Sequence, residues 1–108
     1  MRFPWQKTSY QLVLEFFADS IDDYDRMIEC ELKLGDLLRR GDVDGHDTGG
    51  GVFNFFLITR EPVKCFKEAL SHLTAMNLLP VSAGYRALEK DDYIRLWPKN
   101  DATPFELH

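Results

Sequence analysis

Two apolar runs, 10–18 and 52–59, constrain this chain most, because each alternates at a period of two and is still apolar on both faces. In the first, Tyr10, Leu12, Leu14, Phe16 and Ala18 share one face, opposite Gln11, Val13, Glu15 and Phe17. In the second, Phe53, Phe55 and Leu57 oppose Val52, Asn54, Phe56 and Ile58. Strands apolar on both sides belong in the middle of a sheet. Glu15 and Asn54 interrupt them and need polar partners if buried.

A helix fills most of the interval between the runs. Ser20 with Asp23 three residues on has the spacing of a capping box, and Asp22, Asp23 and Asp25 suit the positive end of the dipole. The pattern predicts a helix running to about Arg40, where Arg39 and Arg40 suit the negative end and Gly41 stops it. Tyr24, Met27, Ile28, Leu34 and Leu38 form its apolar face, Glu31 falls inside that face, and Gly35 leaves space one turn later. A carboxylate there is costly unless paired. Glu31 therefore either reaches solvent or an arginine from the stripe's edge, or it is aimed at the segment after the helix.

That segment, Gly41–Gly51, holds three acids (Asp42, Asp44, Asp47), His46 and five glycines in eleven residues. Glycine-rich backbone beside ionisable groups is a place for a binding or chemical site. Three familiar answers fail. A calcium loop would want further oxygen ligands where His46 and Phe53 stand. A phosphate loop needs a lysine where Val52 stands. A dinucleotide turn needs a helix, and a strand follows. Two chemical readings survive: a divalent metal held by His46 with Asp42, Asp44 or Asp47 and with Glu31 in reach, or acid–base work by His46 oriented by Asp44 or Asp47 with Glu31 as a further acid. The plain alternative is a hairpin whose glycines take positive φ and whose aspartates cap turns.

Downstream, residues 59–62 open a second helix with Pro62 in its first turn, and Phe66, Ala69, Leu70, Leu73 and Met76 mark its core stripe. Cys65 and His72 lie on its flank, too few for a metal site by themselves. Cys30 and Cys65 read as buried reduced thiols. Two short strands follow, 81–88 and 92–97, joined by the polar turn 89–92 and carrying Tyr85, Arg86, Tyr93, Arg95 and Trp97. The ends, 1–9 and 99–108, have no periodic pattern, so 1–108 reads as a single domain with irregular termini.

The two apolar runs, joined through a helix, are expected to lie parallel. If 42–47 forms a strand hairpinned onto 52–58, the order becomes βαββαβ plus one strand; if it is a true loop, the sheet has four strands. The expected fold is α+β, with two helices on one face of a four- to five-stranded mixed, mostly antiparallel sheet. That arrangement resembles the ferredoxin-like sandwich in architecture, without a sequence family behind it.

Net charge is −5, which argues against unspecific nucleic-acid binding, and the basic glycine-aromatic signature of RNA-binding sheets is missing. Residues 15–47 hold eleven acids against four Lys/Arg, a net of −7, and the remainder is +2. No run is apolar and long enough for a signal peptide or a bilayer span, so a cytoplasmic location is expected. The first functional reading is a small acidic protein-binding domain. Its Asp22, Asp23, Asp42, Asp44 and Asp47 would face a basic partner, with Tyr85 or Trp97 as aromatic anchor, in the manner of immunity proteins or enzyme inhibitors. The second is a metal-binding or acid–base enzyme centred on His46, Asp44, Asp47 and Glu31. The third is a homodimer through the open sheet face. They differ in geometry. The enzyme needs His46, an Asp and Glu31 to converge, whereas the binding domain needs a continuous acidic surface from the first helix through Gly41–Gly51.

Overall fold

The alternating apolar runs form strands β1 (Tyr10–Phe17) and β3 (Val52–Thr59), which pair with each other at the centre of the sheet. The structure is a computed structural model that describes residues 8–99, 101 and 103–107. Expectations about 1–7, 100, 102 and 108 fall outside the described residues. Helix α1 (Ile21–Leu37) follows β1, and strand β2 (Gly41–Gly49) leads by a hairpin into β3. Helix α2 (Pro62–Ala75), β4 (Ser82–Ala87) and β5 (Ile94–Trp97) complete the order. The sheet runs β2-β3-β1-β4-β5 and every pairing in it is antiparallel.

Two expectations about this sheet are corrected. β1 and β3 are antiparallel, with Leu14 opposite Phe55, and not parallel. The reason is that 41–49 is itself a strand. A helix crossover fixes the direction of the next strand, which is β2, and the hairpin then turns β3 back between β2 and β1. The four-stranded alternative, with 41–51 as a loop, falls for the same reason.

Leu12, Leu14 and Phe16 of β1, Phe53, Phe55 and Leu57 of β3 and Ala83 of β4 meet Met27, Cys30 and Leu34 of α1 and Cys65, Phe66, Ala69 and Leu73 of α2 in one core. Both helices therefore bury against the same sheet face. The cap of α1 forms as expected, with the Asp23 N–H donating to Ser20 Oγ at 3.1 Å. Its end does not. α1 stops at Leu37, and Arg39 and Arg40 lie beyond it, because their backbone N–H groups donate to the Glu68 carboxylate of α2 at 3.0–3.1 Å. That external acceptor draws the chain off the helix axis before Gly41 is reached. α2 ends through Asn77 at φ 58°, with the Leu78 N–H donating to Leu73 O at 2.9 Å.

The described part of the C-terminal tail is ordered against the opposite sheet face, where a loose terminus was expected. Phe105 is buried over Gly84, at a position where any Cβ would come within 2.5 Å of its ring. Tyr93 packs on that ring at 5.2 Å, and the Arg95 guanidinium lies 5.7 Å from its centre while donating to Thr103 O and Pro104 O. The tail so covers the β1–β4 part of the face that a second copy was expected to meet. Among the described residues no helix is long and apolar enough to cross a membrane.

Candidate functional site

The site is built on β2 and the helix above it. The register of β2 against β3 shifts between Val43 and Gly45, leaving Asp44 as the extra residue of a bulge. Val43 pairs with Leu57 and His46 with Phe55, so both face the helices although three positions separate them. Asp42 pairs with Ile58 and Asp47 with Asn54, which puts those two acids on the other face. The bulge thus divides the acidic stretch between two sides of the sheet.

His46 stacks on Phe53 at 4.8 Å, and Tyr24 meets both rings edge-on. Its Nδ1–H donates to the Glu31 carboxylate, at 2.9 Å to Oε1 and 3.1 Å to Oε2. An ionised carboxylate only accepts, so toward it Nδ1 is the protonated nitrogen, and Nε2 is the ring nitrogen that Glu31 does not engage. The two side chains are 29% and 13% exposed, for His46 and Glu31 respectively. Glu31 thus reaches neither solvent nor an arginine as its main partner but the histidine of the following strand.

Beside this pair lies a shallow, open hollow of about 490 Å³ on the surface between α1 and β2, lined by Glu31, Leu32, Gly35, Asp36, Val43, Asp44 and Gly45. Gly35 opens it, since a Cβ there would be in ordinary contact with Val43 Cγ2 at 3.9 Å. Three carboxylates line it, and among the described residues no Lys or Arg is paired with Glu31, Asp36 or Asp44. Leu32 stands at its rim, 67% exposed. Asp36 and Leu32 were missed by the sequence reading. Their signal was the i,i+4 row Leu32–Asp36 beside the row Glu31–Gly35, two ridges that border one groove.

The other candidates lie elsewhere. Asp22 is exposed at the first turn of α1, and the N–H of Asp19, helped by the Ser20 hydroxyl, holds the Asp23 carboxyl below its ordinary range. Asp42 lines a separate cleft with Arg39, Arg40 and Arg60, so its charge is set among cations. Asp47 shares the far face. Tyr85 and Trp97 are committed to the fold: Tyr85 packs edge-on against Tyr10 at 5.8 Å, and the Trp97 indole N–H donates to Pro80 O at 2.9 Å while its ring lies 6.1 Å from Phe66. Neither ring stands out as a free anchor. The structure brings Glu31 to His46 and Asp44 to the neighbouring hollow, and separates Asp42, Asp47, Asp22 and Asp23 from them.

For chemistry, the His46–Glu31 pair can hold an imidazole in one tautomer with Nε2 unengaged by Glu31, the arrangement a general base or a metal ligand uses. Among the described residues no group of three or more His, Cys, Asp or Glu is placed to hold a metal ion. Comparison with protein-family models, with curated proteins and with solved structures gives no match.

Proposed function

We propose that this chain is a non-enzymatic binding domain that receives a basic partner protein on the flank formed by α1 and β2. The observation that carries this reading is the hollow lined by Glu31, Asp36 and Asp44 without a lysine or arginine in its wall. Carboxylates gathered on one surface patch lower the potential there and speed the encounter with a cation. Leu32 at the rim offers the apolar contact that slows departure. The acidic surface of the proposal is narrower than the sequence suggested, because Asp42 and Asp47 face away from the hollow. An inhibitor or immunity-type role toward a basic enzyme fits such a surface. Free thiols at Cys30 and Cys65 are in keeping with a reducing, cytoplasmic setting. We read the scaffold as ferredoxin-like with an added edge strand, since each helix links two strands that have one other strand between them.

The test is binding to poly-L-lysine, with poly-L-glutamate as the control, followed by fluorescence at low and moderate salt. Joint Asp36→Asn and Asp44→Asn substitution is expected to weaken binding about three- to tenfold. The charge-matched pair Asp91→Asn and Asp92→Asn, on the β4–β5 turn, is expected to leave it near the parent value. Equal effects of the two pairs would reduce the reading to net charge and remove the site.

A second reading is favoured by one specific contact, Nδ1 of His46 on Glu31. There Nε2 serves as a ligand for a divalent metal or as a base. Native mass spectrometry with zinc or nickel, on the parent and on His46→Ala, tests it; identical spectra for the two proteins would leave the imidazole as a packing residue.

A further inference from the structure

β2 is the outermost strand of the sheet on its side, nine residues long, and among the described residues no strand pairs with its outer edge. Such an edge is a row of backbone donors and acceptors that another strand can use. We infer that the basic partner docks by adding an extended segment to β2 as a sixth strand; this rests on the reading that the α1–β2 flank takes a basic partner.

Charge selects the occupant. On the helix side, Asp44 at the bulge meets Glu31 and Asp36 around the hollow. On the far side, Asp47 stands beside the same edge, while Asp42 is already set among Arg39, Arg40 and Arg60. A second copy of this chain would set these acids against their equivalents across the new pairing, and like charges facing each other across strands destabilise it. A segment rich in Lys and Arg meets acids on both of its faces. It needs cations at successive positions rather than only alternate ones, because successive residues of a strand point to opposite sides. The acids disfavour pairing of the edge with copies of itself and favour a cationic strand. Val43 and Leu32 supply the apolar floor and rim where one aliphatic side chain of the segment would lie between its cations. Main-chain hydrogen bonds supply the affinity in this mode of recognition, and the side-chain positions supply the selectivity.

The probe is a capped octapeptide, Lys-Thr-Lys-Lys-Val-Lys-Thr-Lys, titrated into the isotopically labelled full chain. A second peptide of the same sequence carries a methyl group on every backbone nitrogen, which removes the donors and keeps every charge. Strand addition predicts that the first peptide shifts the amide signals of 41–49 and slows their hydrogen exchange. It also predicts that the methylated peptide binds at least about tenfold more weakly, the scale of one to two lost main-chain hydrogen bonds. Equal binding of the two peptides overturns strand addition and leaves the acidic flank standing. No binding of either peptide overturns the flank and strand addition together. Shifts confined to the cleft of Arg39 and Arg60 or to the β4–β5 turn also overturn the proposal. So does a concentration-dependent dimer that pairs through β2 without any peptide.

Discussion

Single side chains set this fold at a few places where space or pairing leaves no choice. Gly84 is one, because its missing Cβ is the seat of the Phe105 ring. Gly84→Ala is expected to push the ring off the sheet and to lower stability by about 1–3 kcal/mol, the range for overfilling a packed site. Urea denaturation measures this, and combining the change with Phe105→Ala should cost less than the sum of the two singles, since one contact is lost in both. The His46–Glu31 pair is another such place. His46→Ala leaves the largely buried Glu31 carboxylate without its donor, an expected loss of about 1–3 kcal/mol. His46→Asn keeps a donor within reach and is expected to recover part of that loss. A His46→Ala protein as stable as its parent would show that water replaces the imidazole fully, and the pair would then have no structural value.

At the scale of elements, the hairpin between β2 and β3 turns on Gly50 and Gly51 at φ of 60° and 81°, the left-handed pair that a two-residue turn requires. Gly51→Ala is expected to destabilise by about 1 kcal/mol, from the cost of a Cβ in that conformation, since nothing lies within 4 Å to clash with it. Thermal denaturation reads this directly. β1, β3 and both helices were legible in the sequence because their periodicity is carried by large apolar residues. β2 was only half legible. Its composition is that of a loop, and its strand character comes from β3, which lends it nearly all its backbone partners. The direction of β1 against β3 depended on that one decision and so was misread. The sequence named Glu31 and His46 as a possible pair, but the bulge at Asp44 that joins them had no signal of its own. Strict alternation from Asp42 would group it with Asp44 and His46, whereas the extra residue moves His46 across to Glu31. The seat of Phe105 had no signal at all, being one aromatic in a patternless tail that meets a glycine 21 positions earlier.

Over the whole molecule, the two thiols connect packing to pH. Cys30 and Cys65 sit on different helices in the one core, and burial pushes each thiol up from 9.0 to about 11. Well below pH 9 both are protonated whether the chain is folded or not, and they add no pH dependence. Between about pH 9 and 11 the unfolded chain releases these protons while the native chain keeps them. The unfolded state then binds fewer protons, so stability falls as pH rises, and the fall levels off once the folded thiols ionise. The expected loss across that window is about 2 kcal/mol per thiol. Other groups titrate there too, so the measurement is a difference: urea midpoints at pH 8 and pH 10.5 for the parent, Cys30→Ala and Cys65→Ala. Each variant starts lower because it leaves a cavity, but its decline with pH is expected to be shallower than the parent's. Parallel declines in all three proteins would mean that the thiols ionise as easily in the fold as out of it. That result would contradict a sealed core beneath Gly41, where a Cβ would stand 2.8 Å from Cys65 Sγ.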